Sequence, residues 1–394
     1  MAGKILILRW AGSAYDSLGG FLELIAQEFA AQGHSVTLFA ADGEGWPNRL
    51  VDLLKAGDIA FALTMSGIAT DLAVSDKLVW EAAKVPLFNW SCDHPSYFPS
   101  RHVIRNPFLL HGYVFPDHAR YNITHLRPNG AAFAVHLGIP PRSLFPQAPL
   151  PLGNRNGRIM FTKTGHDTNE IEATWHTYIP DLQAIIFAAA EELFHRSTAD
   201  ALPVLRGLAE QRGIFLDGDS RLAMLLIREI DTYIRFRRAN LVMHTVLRYP
   251  VDVFGNGWDH IKSEGAQARF HGAATWRAMI EQLPRYLGCL STNPLVDDSV
   301  HDRSFFALAA GVVPVSDSNA FSRARMSALE PYTFPFTQER IEHAVEALLA
   351  APAEALARTE STWQELAVPF GMRRAARQIV HFVALHGMNA RWTA

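Results

Sequence analysis

Cysteine is nearly absent. Of 394 residues only Cys92 and Cys289 are cysteines, about two hundred positions apart, which gives neither a disulfide framework nor a zinc ligand set, so a reducing cytoplasm is the expected compartment. An excess of one charge is also missing: 36 Lys plus Arg stand against 39 Asp plus Glu, a formal charge of −3. No global basic field exists to hold a nucleic-acid backbone, and no nucleic-acid partner is expected. No segment reaches the roughly 20 apolar residues of a membrane span. The opening MAGKILILRWAG is too short in its apolar run for a signal-peptide core, so a soluble chain is the expectation. Repeats and low-complexity tracts are missing as well. The 17 His do not fall at metal-ligand spacing, and neither a metal nor another cofactor is expected.

What is present is core material, with 49% apolar residues including 24 Phe and 9 Trp, enough for two domains of ordinary size. KILILR (4–9) is a short apolar run of the kind buried in a parallel sheet. It is followed by a loop, a helix from Ser17 with Leu18, Leu22, Ile25 and Phe29 on one face, Gly33 as its stop, and SVTLFA as the next strand. The alternation continues through DIAFALT (58–64), a helix over Asp71 to Ala83, VPLFNW (85–90), HGYVF (111–115) and AFAVH (132–136). Five prolines in 140–157 read as a linker. RIMFTK (158–163) opens a second domain. A helical insertion over about 169–247 follows, then YPVDVFG, ARFHG, YLGCLST and VVPVSD restore the α/β rhythm, and the end of the chain is helical. The predicted fold is α/β: a doubly wound domain over 1–139, a linker over 140–157, a second over 158–370 and a C-terminal helix over 371–394.

Ligands of open α/β sheets bind outside the carboxyl ends of the strands, so the site is expected in the loops there, in a cleft between the domains. Residues 10–20 (WAGSAYDSLGG) lack the G-x-G-x-x-G spacing, which disfavours a nicotinamide enzyme. Asp16 in this loop reads either as a general base or as a helix cap. Asp93 and His94 follow VPLFNW and could form an oriented base, or Asp93 could cap the turn before Pro95. His118 and His136 recur at the next strand ends. Gly255-Asn256-Gly257-Trp258 reads as a ligand loop or as a plain turn with a core Trp, and His271 could meet a nucleobase. The segment Thr292 to Ser304 runs into a helix N-terminus with Arg303, which suits a diphosphate. Asp297 and Asp298 could take ribose hydroxyls or form an acidic solvated loop. Lys163 ends a strand and could neutralise departing phosphate.

VDVFGNGW, ARFHG and VHDRSFFALAAGVVPVSDSN resemble the donor-binding domain of bacterial GT-B glycosyltransferases, most closely the group like the spore-maturation protein CgeB. CDHPSYFPSRH and FPDHARY resemble first-domain stretches of the same group. The resemblance implies two Rossmann-like domains and metal-independent transfer of a sugar from a nucleoside diphosphate donor to a glycan, lipid-linked glycan or protein acceptor. Gly255, Gly257, His301, Asp302, Arg303, Ser304 and Asp317 would line the donor site, joined by Lys163, Trp258 and His271. Asp93 and His94 would face the acceptor, with His118 and His136 on the same side. Phe306 stands where many retaining relatives carry Glu, which leaves the stereochemistry open. Two rivals are a GT-B-fold sugar-nucleotide epimerase and a non-catalytic sugar-nucleotide-binding scaffold.

Overall fold

The computed structural model describes residues 3–10, 12, 14–104, 106–126, 132–196 and 200–392. Ala11 and Ser13 of the first loop lie outside them. The chain divides into two compact units, residues 1–138 with 370–394, and residues 139–369.

The first unit is built on six parallel strands, β1 (Lys4–Arg9), β2 (Val36–Ala40), β3 (Ile59–Met65), β6 (Leu87–Ser91), β7 (Leu109–Tyr113) and β8 (Ala132–Ala134), in the order β2-β1-β3-β6-β7-β8. In β1, Ile5, Leu6, Ile7 and Leu8 are all buried, because helices cover both faces and no polar alternation is needed. On one face Leu6, Leu8, Leu50, Leu54, Leu87 and Trp80 form a continuous core; on the other Phe29 meets Phe61 edge to face at 6.1 Å. A small hairpin, β4 (Ala73–Val74) with β5 (Lys77–Leu78), replaces most of the helix expected over 71–83. Ser75 takes φ 55° in its turn, and only Val79–Ala83 is helical. The C-terminal helix Met372–Trp392 belongs to this unit: Phe382 stacks on Phe133 at 4.2 Å, and Gln32 Nε2 donates to Arg373 O.

The second unit carries another six parallel strands, β9 (Ile159–Thr162), β10 (Val251–Phe254), β11 (Arg269–Phe270), β12 (Gly288–Ser291), β13 (Val313–Asp317) and β14 (Thr333–Phe334), in the order β11-β10-β9-β12-β13-β14. Counted from β9 this is 3-2-1-4-5-6, the doubly wound order whose direction of winding reverses between β9 and β12. Among the described residues four helices, Thr168–Trp175, Pro180–Phe194, Leu202–Glu210 and Arg221–Val246, intervene between β9 and β10. The proline-rich stretch is part of this unit. Arg155 clamps it by donating to Leu150 O, Pro284 O, Tyr286 O and Gly311 O at 2.7–3.2 Å. Among the described residues no helix is long and apolar enough to cross a membrane.

Candidate functional site

In the second unit the reversal point brings together the end of β9 and the segment after β12. That segment is stitched in place from the end of β13. The Asp317 carboxylate accepts from Asn293 N at 2.7 Å, and Asn293 Oδ1 accepts in turn from His301 N at 2.6 Å. Asn319 Nδ2 donates to Val296 O and Ser299 O. Asp297 Oδ1 accepts from Ala320 N at 2.7 Å, so this carboxylate caps the helix Ala320–Arg325. Burial pushes the Asp317 carboxyl up to about 6, against the pull of Arg238 and the Asn293 hydrogen bonds.

His301, Asp302 and Arg303 form a chain. His301 Nδ1 meets Asp302 Oδ1, and His301 Nε2 lies 3.3 Å from Arg303 Nη1. Nδ1 also accepts from Arg303 N at 3.4 Å, which caps the helix that follows. Burial and the Arg303 charge push the imidazole down to about 4, so it is neutral at physiological pH. Burial works to raise the Asp302 carboxyl, but His301 and Arg303 outweigh it and hold the group below its usual value. The arrangement sets a guanidinium in the first turn of the helix Asp302–Ala310, whose dipole favours an anion and whose Arg303 and Ser304 N–H groups are capped by His301. The Ser304 and Thr292 hydroxyls are buried there without a protein hydrogen-bond partner.

Lys163 follows β9 directly, its N–H bonded to Phe254 O. Burial and the charges of Arg235 and Arg303 push its ammonium well below the ordinary lysine value, opposed by Asp231 and Asp317. Arg235 and Asp231 come from the helix Arg221–Val246 and pair at 3.6 Å. The strand-end rule does not disclose them, because they lie inside the helical insertion over 169–247. Their i, i+4 spacing was the available signal.

The remaining predicted donor residues lie in the loops after β10 and β11. Gly255 (φ 144°) and Gly257 (φ 81°) pack a turn against the backbone of 163–165: a Cβ on either would come within 2.2 Å of Lys163 O or Gly165 O. Trp258 is buried, with its indole N–H donating to Lys163 O at 2.9 Å and its ring near Phe161, so it fixes the β9 loop and offers no open face to a base. His271 stacks on Phe254 at 4.7 Å and meets Asp252 at 3.2 Å. Asp252 also binds Arg158 and Tyr286, so this imidazole is engaged by a buried carboxylate. Phe306 is buried against Trp276 and Phe145.

In the first unit, Asp16 and Tyr15 both take positive φ, 57° and 62°. Asp16 is held by Arg9 Nη2 at 2.5 Å, while Arg9 Nε reaches Glu23. The ends of β6 and β7 bring His94 and His118 together, with ring centroids 5.1 Å apart, and Tyr121 lies 4.4 Å from His94. His94 Nδ1 accepts from Ser96 N at 3.2 Å and sits 2.8 Å from Ser96 Oγ. With Nδ1 used as an acceptor, a neutral ring carries its proton on Nε2. Asp93 is half-buried beside it. His136 lies apart from this pair, edge-on to Phe370 at 5.5 Å. Among the described residues no group of three or more His, Cys, Asp or Glu is placed to hold a metal.

Two doubly wound parallel sheets in tandem with a helical C-terminal end define the GT-B fold. No protein-family model matches the chain, and no curated protein sequence does. Solved structures do. An α-glucosyltransferase in complex with UDP and a 13-mer DNA containing a HMU base is 12% identical, with 98% of this chain and 100% of that chain covered at TM-score 0.55. Sucrose-phosphate synthase from Thermosynechococcus elongatus is 10% identical, with 97% and 98% covered at TM-score 0.54. T4 phage BGT in complex with UDP-glucose is 8% identical, with 96% and 99% covered at TM-score 0.53.

Proposed function

We propose that the protein is a glycosyltransferase that moves a sugar from a nucleoside diphosphate donor, held by the second unit, to an acceptor presented by the first. One observation carries the reading: Lys163, just after β9, and Arg303, in the first turn of a helix, flank the winding reversal of the second sheet closely enough for the charge of one to act on the other, and such charges suit a diphosphate. Cations there stabilise the charge that develops on the departing nucleotide. Among the acceptor-side groups, His94 is disposed as a hydrogen-bond donor to the acceptor hydroxyl, which leaves Asp93 as the general base, with His118 beside them. Asp16, already paired with Arg9, orders the first loop.

UDP is the first nucleotide to test, because two of the structural neighbours were solved with UDP or UDP-glucose. The DNA acceptor of one neighbour is not carried over: a formal charge of −3 supplies no basic field for a phosphate backbone. A cell-surface glycan, a lipid-linked glycan or a protein is the acceptor class proposed, in a cytoplasmic enzyme of the CgeB-like group. Incubating the chain with a panel of UDP-sugars separates the readings. Slow release of UDP, accelerated by an acceptor, is expected. An isomerised donor without acceptor would select the epimerase, and tight binding with neither outcome would select the scaffold.

A further inference from the structure

We infer that His271 reads the nucleobase of the donor. Its Nδ1 is held as a hydrogen-bond acceptor that takes the ring N3–H of uracil or thymine and disfavours cytosine and adenine, whose facing ring nitrogen is itself an acceptor. The inference rests on the nucleotide-sugar reading above and deepens it by naming the base.

Two contacts fix the ring. His271 stacks on Phe254 with centroids 4.7 Å apart and planes 15° from parallel, and its Nε2 lies 3.2 Å from Asp252 Oδ1. Asp252 is buried and also accepts from Arg158 Nε at 2.8 Å and from Tyr286 Oη at 3.0 Å. Burial works to raise its carboxyl, but hydrogen bonds from His271, Arg158 and Tyr286 outweigh it and hold the group below its usual value. An ionised carboxylate can only accept, so Nε2 carries the proton, and in the neutral ring Nδ1 is left with a lone pair. Arg158 in turn donates to Val251 O and Gln267 O, so the carboxylate that sets the tautomer is itself anchored to two backbone segments. One face of the ring is on Phe254 and one edge on Asp252. The 39% of the His271 side chain that stays exposed therefore comes from the opposite face and the edge that carries Nδ1.

The ring stands at nucleoside distance from the proposed diphosphate. His271 directly follows β11, and its N–H donates to Val253 O at 2.9 Å. Gly255 N donates to Gly272 O at 2.7 Å and Ala273 N to Asn256 Oδ1 at 3.0 Å, which ties the loops after β10 and β11 together. The loop after β10 is pressed in turn on residues 163–165, so the carboxyl ends of β11, β10 and β9 form one continuous rim. Two strand spacings separate β11 from β9, about 10 Å, which a ribose and its base span together from a diphosphate at the winding reversal. An ion pair that only held the sheet edge would need the Asp252 contact alone. A ring that is also stacked, and open at the nitrogen its carboxylate leaves unprotonated, is what recognition of a base N–H requires.

The test titrates UDP, dTDP, CDP, ADP and GDP into the full chain and into His271→Phe, which keeps an aromatic ring over Phe254 and removes the acceptor, with melting curves as the control on folding. The wild type should bind UDP and dTDP at least tenfold more tightly than CDP and ADP. His271→Phe should lose about fivefold or more in UDP affinity and little in CDP affinity, so that the preference collapses. A second readout needs no variant: nitrogen-15 NMR of the wild type in mildly alkaline buffer should show His271 protonated on Nε2 and unprotonated on Nδ1, with the Nδ1 resonance moving when UDP is added. Equal or tighter binding of CDP, ADP or GDP by the wild type overturns the assignment. So does an unchanged preference in folded His271→Phe, or a proton on Nδ1 in the free protein. If the wild type binds none of these nucleotides, the nucleotide-sugar reading itself falls.

Discussion

Asp317 shows how one buried carboxylate organises the second unit. It holds Asn293, which holds His301, which positions Arg303. Its carboxyl is raised by burial to about 6 from 3.8, so the folded state binds its proton more tightly than the unfolded chain. The group's contribution to stability is full below pH 3.8 and is lost as pH rises through 6, an effect on the order of 3 kcal/mol. Asp317→Asn keeps an acceptor for Asn293 and removes the charge. Melting curves from pH 4 to 7 should show the variant gaining on the wild type as pH rises, and a constant offset across that range would show that Asp317 does not titrate there. His94 makes the complementary point in the first unit. A base reading from its neighbour Asp93 was legible in the sequence, but the acceptor role of its Nδ1 depends on the Ser96 backbone, which spacing does not disclose. His94→Gln, which keeps a donor, should retain more transfer activity than His94→Phe; equal loss in both would contradict a donor role.

At the scale of elements, the loops after β9 and β10 are pressed into each other through Gly255, Gly257 and Trp258. Gly255→Ala places a methyl against Lys163 O at a φ of 144°, and a loss of about 2 kcal/mol on chemical denaturation is expected, with weaker UDP binding because Lys163 shifts. Unchanged stability would mean that the two loops are not held together there. This contact joins residues some ninety positions apart, so a sequence shows the glycines but not the backbone they approach. The strands were legible for a simple reason: KILILR and RIMFTK are buried on both faces and need no polar alternation. The hairpin at 73–78 was not, because Leu72, Ala73, Val74 and Leu78 fit a helical spacing until Ser75 adopts positive φ. Arg155 likewise turns a proline-rich stretch that reads as a linker into part of the second unit.

Across the whole molecule, scarce cysteine, balanced charge and the lack of a long apolar run narrowed the chain to a two-core α/β protein, and the strand-end rule pointed to the loops that matter. Helical periodicity reports only that Asp231 and Arg235 share a face, and not that their charges act on Lys163. A diphosphate at the winding reversal of the second sheet would draw its affinity from local cations instead of a global basic field. Calorimetric titration of UDP into the wild type, Lys163→Met and Arg303→Met tests this most directly, because an unpaired phosphate charge in a half-buried site costs well over one factor of ten in binding. A measurable wild-type affinity that falls at least tenfold in each variant, while the melting curves stay cooperative, is the expected result. Undiminished UDP binding by both folded variants would contradict it.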